Sequence, residues 1–195
     1  MRRATVLLFA VCILSAFAFA SGPILNYYVA EPFSTPYGKY GLGAWTGGTS
    51  ASTDASAKIE KNTIFGHVWE IYYNVEKEGS YNGTWLAFAN TNMNQVFAAS
   101  PTYSKLIFFV KSDSTVPMNF KVELKSPNNG VEYYYVTGIT ENWVLVIVPF
   151  KKFKKYSWTN NTNFSQLIQM TFVFENNIDI VKKGHIYVAD IGFAK

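Results

Sequence analysis

The sequence has 195 residues, of which 49% are hydrophobic, 17% aromatic and only 15% charged, and its formal net charge is +4. Two of the positive charges, Arg2 and Arg3, precede an apolar run. Without them the formal charge falls to +2, which does not predict a nucleic-acid partner. The single cysteine, Cys12, lies in the same run. The remaining chain therefore has no disulfide, thiolate zinc site or cysteine nucleophile.

The first twenty residues predict a secretory signal peptide. A positive start is followed by an almost unbroken apolar run from Thr5 to Phe19, and Ala18 and Ala20 are the small residues that a signal peptidase reads. The run is shorter than the roughly 20 residues that span a bilayer, so an uncleaved anchor is the alternative. We expect cleavage after Ala20, one domain over residues 21–195, a secreted or periplasmic location and no stable membrane insertion after cleavage.

Short segments that alternate with period two, or that are short and apolar, recur along the rest of the chain and predict strands. They cover residues 24–29, 57–61, 68–75, 85–89, 106–111, 118–125, 131–137, 143–149, 169–174 and 185–193. No stretch keeps a period of 3.6, and only residues 163–168 could form a helical turn, capped by Asn163 or Ser165. Ten short strands predict an all-β protein, either a two-sheet antiparallel β-sandwich or a barrel.

Three further patterns predict local structure. Segments 106–110 and 144–148 are apolar on both faces, which is typical of central strands or of strands that something covers. The segment 35–53, rich in Gly, Ser and Thr, is expected to be a surface loop. The pair Asn82-Gly83 is a turn signal.

Motifs in the C-terminal half resemble known proteins. They are Tyr103 to Lys111 (YSKLIFFVK), residues 120–124 (FKVEL), Trp143 followed by an apolar stretch with Pro149-Phe150 and Phe153, and residues 184–193 (GHIYVADIGF). Over residues 56–193 the order and spacing resemble the β-jelly-roll carbohydrate-binding modules of bacterial glycan-degrading enzymes, particularly those that bind β-glucan, and the related galactose-binding-like domains. The resemblance implies a jelly-roll sandwich and a polysaccharide ligand. Because such modules usually accompany a catalytic domain, it also suggests a separate glycan-degrading enzyme as a partner.

Aromatic side chains are the candidate ligand contacts. The apolar C–H faces of sugar rings stack on flat aromatic rings. The candidates are Trp69, Tyr72, Trp85, Tyr133 and Tyr135; for each of them the alternative is a place in the core. Alternation puts Tyr133 and Tyr135 on one face of a strand and Tyr134 on the other, and Trp143 is assigned to the core.

The sequence also suggests a cation site. Asp190 interrupts an apolar strand, where a carboxylate is costly unless it is hydrogen-bonded or bound to a cation. The resembling modules often hold a structural calcium ion with an Asp in the last strand, and Glu31 is the matching acidic residue near the first strand. Hydrogen bonding of Asp190 to backbone amides is the alternative.

No complete catalytic pattern is present. Glu76 and Glu78 are the one pair of carboxylates at i and i+2, and they belong to a turn-like segment. His67 and His185 fit no metalloprotease pattern. We therefore expect a non-catalytic protein. Two alternatives stay open: a structural or adhesive cell-envelope protein of the same fold, and a lyase or glycosidase whose residues are brought together by folding.

Overall fold

The computed structural model describes residues 27–31, 41–48, 55–88 and 103–195. These residues form two antiparallel sheets that pack face to face, so the protein is an all-β sandwich, as predicted. The first sheet has the strand order β3-β4-β12-β6-β9, and β1 also pairs with β12. The second sheet has the order β10-β8-β7-β11-β5-β2. No helix in the described part of the chain has the length and apolar character to cross a membrane.

Twelve strands occur within the described ranges. They are β1 (Tyr27–Glu31), β2 (Leu42–Gly48), β3 (Ala55–Asn62), β4 (Gly66–Asn74), β5 (Ser80–Ala87), β6 (Lys105–Ser112), β7 (Met118–Ser126), β8 (Gly130–Ile139), β9 (Val144–Pro149), β10 (Lys154–Lys155), β11 (Gln169–Glu175) and β12 (Lys183–Ala194). A short 3-10 helix, Phe150–Lys152, follows β9.

The core lies between the two sheets and follows the alternation of the strands. In β7, the side chains of Met118, Phe120, Val122 and Leu124 are fully buried against the first sheet. Trp69 of β4 crosses the sandwich and packs edge-on against Phe172 of β11, with ring centroids 5.3 Å apart. Since apolar burial contributes about 25 cal/mol per Å², this shared core stabilises the packing of the two sheets.

Each of the ten predicted strands overlaps an observed strand, and residues 24–26 and 89 of these predictions lie outside the described residues. The prediction of a surface loop over residues 35–53 was wrong for residues 42–48, which form β2; residues 35–40 and 49–53 lie outside the described residues. The turn at Asn82-Gly83 was also wrong, since both residues lie inside β5, where Asn82 is buried and Gly83 pairs with Trp45. Residues 163–168 form a hydrogen-bonded turn instead of a helix, with the Asn163 side chain accepting from the Ser165 N–H.

The assignment of β9 and Trp143 to the interior needs correction. Whereas β6 is central, β9 is an edge strand whose Leu145 and Ile147 side chains are each 43% exposed. Trp143 is half-buried on the outer face of the first sheet, where its ring contacts Phe65 at 4.8 Å. Apolar sequence on both faces of β9 thus reflects an exposed apolar surface and not a covered strand.

Candidate functional site

The outer face of the second sheet, which we call the open face, carries most of the half-exposed aromatic rings of that sheet. Antiparallel register aligns its side chains in rows across the strands. One row runs from Gly43 through Trp85, Thr171 and Glu123 to Tyr133. The next row runs from Trp45 through Gly83, Val173 and Lys121 to Tyr135. Each row includes an aromatic ring on β2 or β5 and ends at a tyrosine on β8.

The first aromatic cluster, Trp45, Tyr81 and Trp85, lies on β2 and β5. Each ring faces a glycine on the neighbouring strand. A Cβ added at Gly43 would come within 2.7 Å of the Trp85 ring, and one added at Gly47 within 2.6 Å of the Tyr81 ring. The absence of side chains on these glycines therefore lets the rings lie against the backbone of β2. Trp45 also contacts Tyr81 edge-on, with centroids 5.7 Å apart.

The second aromatic cluster, Tyr133, Tyr135, Tyr156 and Trp158, lies on β8 and on the segment after β10. Tyr133 contacts Tyr135 edge-on at 5.5 Å, and Tyr156 packs against Tyr133 at 4.4 Å. Trp158 stacks on Tyr156 at 5.0 Å and is 69% exposed. The cluster thus extends from the sheet surface to a solvent-exposed indole. Three strand spacings, or about 14 Å, separate β8 from β5.

A polar network occupies the centre of the open face. Lys121 forms an ion pair with Glu175 and donates a hydrogen bond to the Tyr156 hydroxyl at 3.0 Å. That hydroxyl donates to Glu123 Oε1 at 2.5 Å. The Lys121 ammonium lies 5.5 Å and 5.3 Å from the ring centroids of Tyr133 and Tyr156, so it also makes cation–π contacts. The network fixes the orientation of the second cluster.

Burial governs the ionisation of this network. It raises the pKa of the Glu123 carboxyl, although the Tyr156 hydrogen bond and the Lys121 charge act in the opposite direction. Burial, and next the Glu123 charge, raises the pKa of Tyr156, which keeps its hydroxyl protonated as a donor. Burial also raises the pKa of Tyr135. These hydroxyls and carboxylates are the groups that could pair with sugar hydroxyls between two stacking surfaces.

Short side chains form the floor between the two aromatic clusters. Thr171 and Val173 belong to the outer face, yet they are only 5% and 4% exposed. Their low exposure shows that the flanking side chains stand above them. A sheet face that has an aromatic cluster on each side and polar groups between them can hold an extended, flat and hydroxylated chain across the strands.

The structure brings together three of the five predicted contact residues. Trp85, Tyr133 and Tyr135 share the open face, and Tyr134 points to the core, as alternation predicted. The prediction that Trp69 contacts the ligand was wrong, because its side chain is fully buried between the sheets. The prediction that Tyr72 shares a surface with Trp85 and Tyr133 was also wrong. It lies on the outer face of the other sheet, with its ring 5.1 Å from that of His185.

Four site residues were missed. Trp45 lies in the segment that was expected to be a surface loop, and Tyr81 lies next to the turn that was expected at Asn82-Gly83. Tyr156 and Trp158 lie outside every predicted strand. A sequence signal was present for Trp45 and Tyr81. The segments Gly43-x-Trp45-x-Gly47 and Tyr81-x-Gly83-x-Trp85 have complementary spacing, so that antiparallel pairing places each aromatic residue opposite a glycine. This complementary spacing could have predicted the pairing of β2 with β5.

The candidate cation site can be placed only in part. Asp190 has a φ of 48° within an irregularity of β12, between Ala189 and Gly192. Burial raises the pKa of its carboxyl. The backbone of Glu31 is in register with Ile191, which places the two acidic residues on adjacent strands. Among the described residues, no group of three or more His, Cys, Asp or Glu side chains is placed to hold a metal ion.

The candidate catalytic groups lie at three places in the described structure. Glu76 and Glu78 are both exposed in the loop between β4 and β5. His185 lies on the outer face of the first sheet, where Nδ1 is 3.0 Å from Asp113 Oδ2 and Nε2 is 3.6 Å from Glu70 Oε1. His67 lies near the start of β4, beside the β3–β4 turn. The described histidines thus do not adjoin the open face.

Solved structures share this architecture, although no protein-family model and no curated protein sequence matches the chain. The family 11 carbohydrate-binding module of a cellulosomal cellulase of Clostridium thermocellum superposes with a TM-score of 0.62 at 19% identity, covering 87% of this chain and 95% of that chain. The chain has the fold of a carbohydrate-binding module. A family 11 module from the same organism, solved with a β-1,3-1,4-mixed-linked tetrasaccharide, superposes with a TM-score of 0.57 at 20% identity, covering 78% of this chain and 88% of that chain.

The module fold recurs in further structures. A family 30 module of another cellulosomal cellulase of Clostridium thermocellum has a TM-score of 0.56 at 13% identity, with 85% of this chain and 96% of that one covered. Part of an exo-β-agarase matches with a TM-score of 0.58 at 12% identity, covering 83% of this chain but 24% of the agarase. In the agarase, the module fold is therefore a segment of a larger chain.

Proposed function

We propose that this protein is a non-catalytic module that binds a β-linked glucan along the open face. The observation that carries the proposal is the pair of half-exposed aromatic clusters on the same sheet face, with hydrogen-bonding groups between them. The module fold supports the proposal, and so does the mixed-linked tetrasaccharide in one of the structures that share it. The rows of the sheet give the ligand a direction, because a chain that contacts both clusters must cross the strands.

The expected affinity is modest. Each sugar–aromatic stack should contribute on the order of 1 kcal/mol, and water competes for every hydroxyl contact. Stacking on two or three rings must therefore be combined with several hydrogen bonds to the sugar hydroxyls to reach a dissociation constant of about 1 mM or somewhat below it. Such binding suits a module that holds a long polymer through repeated contacts.

The first prediction concerns the residues of the open face. Trp85→Ala and Tyr135→Ala should each weaken retention by mixed-linked β-glucan several-fold, because each removes a stacking ring. Their melting temperatures should change little, since both rings are half-exposed. Tyr72→Ala is the matched control, as it removes a half-exposed ring from the other sheet. Affinity electrophoresis and calorimetry with glucans, mannans, xylans and galactans measure these effects.

Three outcomes separate the alternatives. Binding that is lost in Tyr72→Ala and kept in Trp85→Ala would place the site on the other sheet. No interaction with any polysaccharide would leave a structural envelope role as the better account. Release of reducing ends or unsaturated sugars would show that the protein is an enzyme.

We further propose that the protein is exported, that a separate glycan-degrading enzyme is its partner, and that calcium stabilises it. The leader predicted for residues 1–20 lies outside the described residues and supports export by its sequence alone. Cellulosomal enzymes carry the similar modules, which supports the choice of partner class. For calcium, the support is the half-buried Asp190 carboxylate next to the strand that carries Glu31.

A further inference from the structure

The edge of β9 that no described strand pairs with, which we call the free edge, has the properties of an interface. β9 ends the first sheet, and among the described strands it pairs only with β6. Natural proteins usually protect such an edge with charged side chains, bulges or proline. The sequence of β9, VLVIVP, has no charge, and its only proline is its last residue.

The backbone groups that point away from the sheet belong to the residues with exposed apolar side chains. The N–H of Phe150 donates to the Ser104 carbonyl of the segment before β6, at 2.8 Å. Successive residues of a strand direct their N–H and C=O groups to opposite edges. Leu145 and Ile147 therefore direct theirs to the free edge. Pro149 has the same orientation, so the N–H that it lacks would have pointed away from β6, and no hydrogen bond to β6 is lost.

An apolar surface borders this edge. Leu145 and Ile147 lie on the outer face of the sheet, next to Phe109 and Ile107 of β6. The ring of Phe65 packs against Phe109 at 5.0 Å. The adjoining Ile64 is 68% exposed. Contiguous exposed apolar groups beside an unpaired strand are typical of a surface that another chain covers.

We propose that a second copy of this chain occupies the edge, with two β9 strands paired antiparallel about a two-fold axis at Val146. In this register Leu145 of each copy lies opposite Ile147 of the other, so the exposed apolar side chains cover each other. The same patch on both copies forms the contact, as a two-fold interface requires. The pairing joins the two first sheets into one continuous sheet.

Charge at the two ends of the strand favours the same arrangement. Exposed Glu141 precedes β9 by three residues, and exposed Lys151 follows it by two. Antiparallel pairing about Val146 brings the Glu141 end of one copy to the Lys151 end of the other. A parallel arrangement would instead place like charges together, which disfavours it.

The geometry has a consequence for binding. A two-fold axis that relates two antiparallel edge strands is perpendicular to the sheet, so both second sheets lie on the same side of the joined sheet. The two open faces then point in the same direction. A dimer could engage two segments of one polysaccharide, which raises the apparent affinity without any new contact.

Sedimentation of the purified protein without glycan tests the proposal. Edge pairing buries less area than a standard stable interface, so we expect a reversible dimer in the range from about 1 µM to about 1 mM. Ile147→Lys should weaken dimerisation at least about tenfold, because it puts two charges into the apolar contact. Ile180→Lys is the matched control, since Ile180 is 66% exposed in the loop between β11 and β12. Circular dichroism confirms that each variant is folded.

Charge reversal provides a second test. Glu141→Lys alone and Lys151→Glu alone should each weaken the dimer, and the double variant should restore it. A monomer at every concentration overturns the proposal and leaves a strand of a different protein as the occupant. A dimer that survives Ile147→Lys overturns it as well. Because glycan is absent from these measurements, failure of the dimer and failure of glycan binding are separate results.

Discussion

Two tryptophans show how position decides the role of one residue type. Trp69 of β4 faces the other sheet and is fully buried, whereas Trp85 of β5 faces outward over Gly43. Truncation of a buried aromatic typically costs about 3–5 kcal/mol of stability. The half-exposed ring contributes less to folding and is available to a ligand. Stability and binding measurements on both variants would therefore give opposite patterns.

The second prediction concerns Asp190 and calcium. Oxygen ligands around a half-buried carboxylate suit a hard cation, and an ion that binds only the folded state raises its stability. Added calcium should raise the melting temperature of the unmodified protein, and chelator should lower it. Asp190→Ala should remove the difference between the two conditions, because it deletes the proposed ligand.

Differential scanning fluorimetry with calcium and with chelator measures this effect. Asp113→Ala is a control, since it removes an exposed carboxylate elsewhere in the molecule. Equal melting temperatures of the unmodified protein under both conditions would refute calcium binding. Hydrogen bonding of Asp190 would then be the remaining account.

At the scale of the element, β2 is the strand that composition did not predict. Its glycines and small polar residues suggest a loop, yet it pairs with β5 along seven residues. The rings of Tyr81 and Trp85 lie against Gly47 and Gly43, so the neighbouring strand supplies the apolar side chains that these two glycines lack. Strand formation here depends on cross-strand contacts and not on local propensity.

The third prediction follows from this packing. Gly43→Ala should displace the Trp85 ring, because the added Cβ would lie 2.7 Å from it. Glucan binding should weaken several-fold, while the core remains intact. Ala44→Ser, at the adjacent exposed position, should leave binding unchanged. Affinity electrophoresis of both variants measures the difference, and equal retention of Gly43→Ala and the unmodified protein would contradict the proposed role of Trp85.

At the scale of the whole molecule, the fourth prediction concerns export. We predict an exported protein whose intact mass corresponds to cleavage after Ala20, because the leader has the charge and small-residue ending that a signal peptidase requires. Mass spectrometry of protein from the medium or periplasm checks this, and a mass that retains residues 1–20 would refute it. The residual net charge of +2 leaves the protein without a strong electrostatic preference for a polyanion.

Several features could be predicted from the sequence because they depend on local periodicity. Alternating side chains predicted the strands, the all-β class and the separation of Tyr134 from Tyr133 and Tyr135, whereas the choice of a sandwich over a barrel came from the resemblance. The motifs of the C-terminal half predicted the module fold that the solved structures share. These properties belong to single strands or to a family pattern, so they need no knowledge of how strands are ordered.

Only the tertiary structure decided which aromatics meet on one face. A strand alternates between two faces, but its sequence does not say which face covers the core when both carry aromatic residues. Trp69 and Trp85 therefore looked alike, and Tyr72 looked equivalent to Tyr135. Sheet order placed β5 and β8 in one sheet and β4 in the other, and it left β9 at an edge. These results depend on pairing between residues distant in sequence, which local periodicity cannot determine.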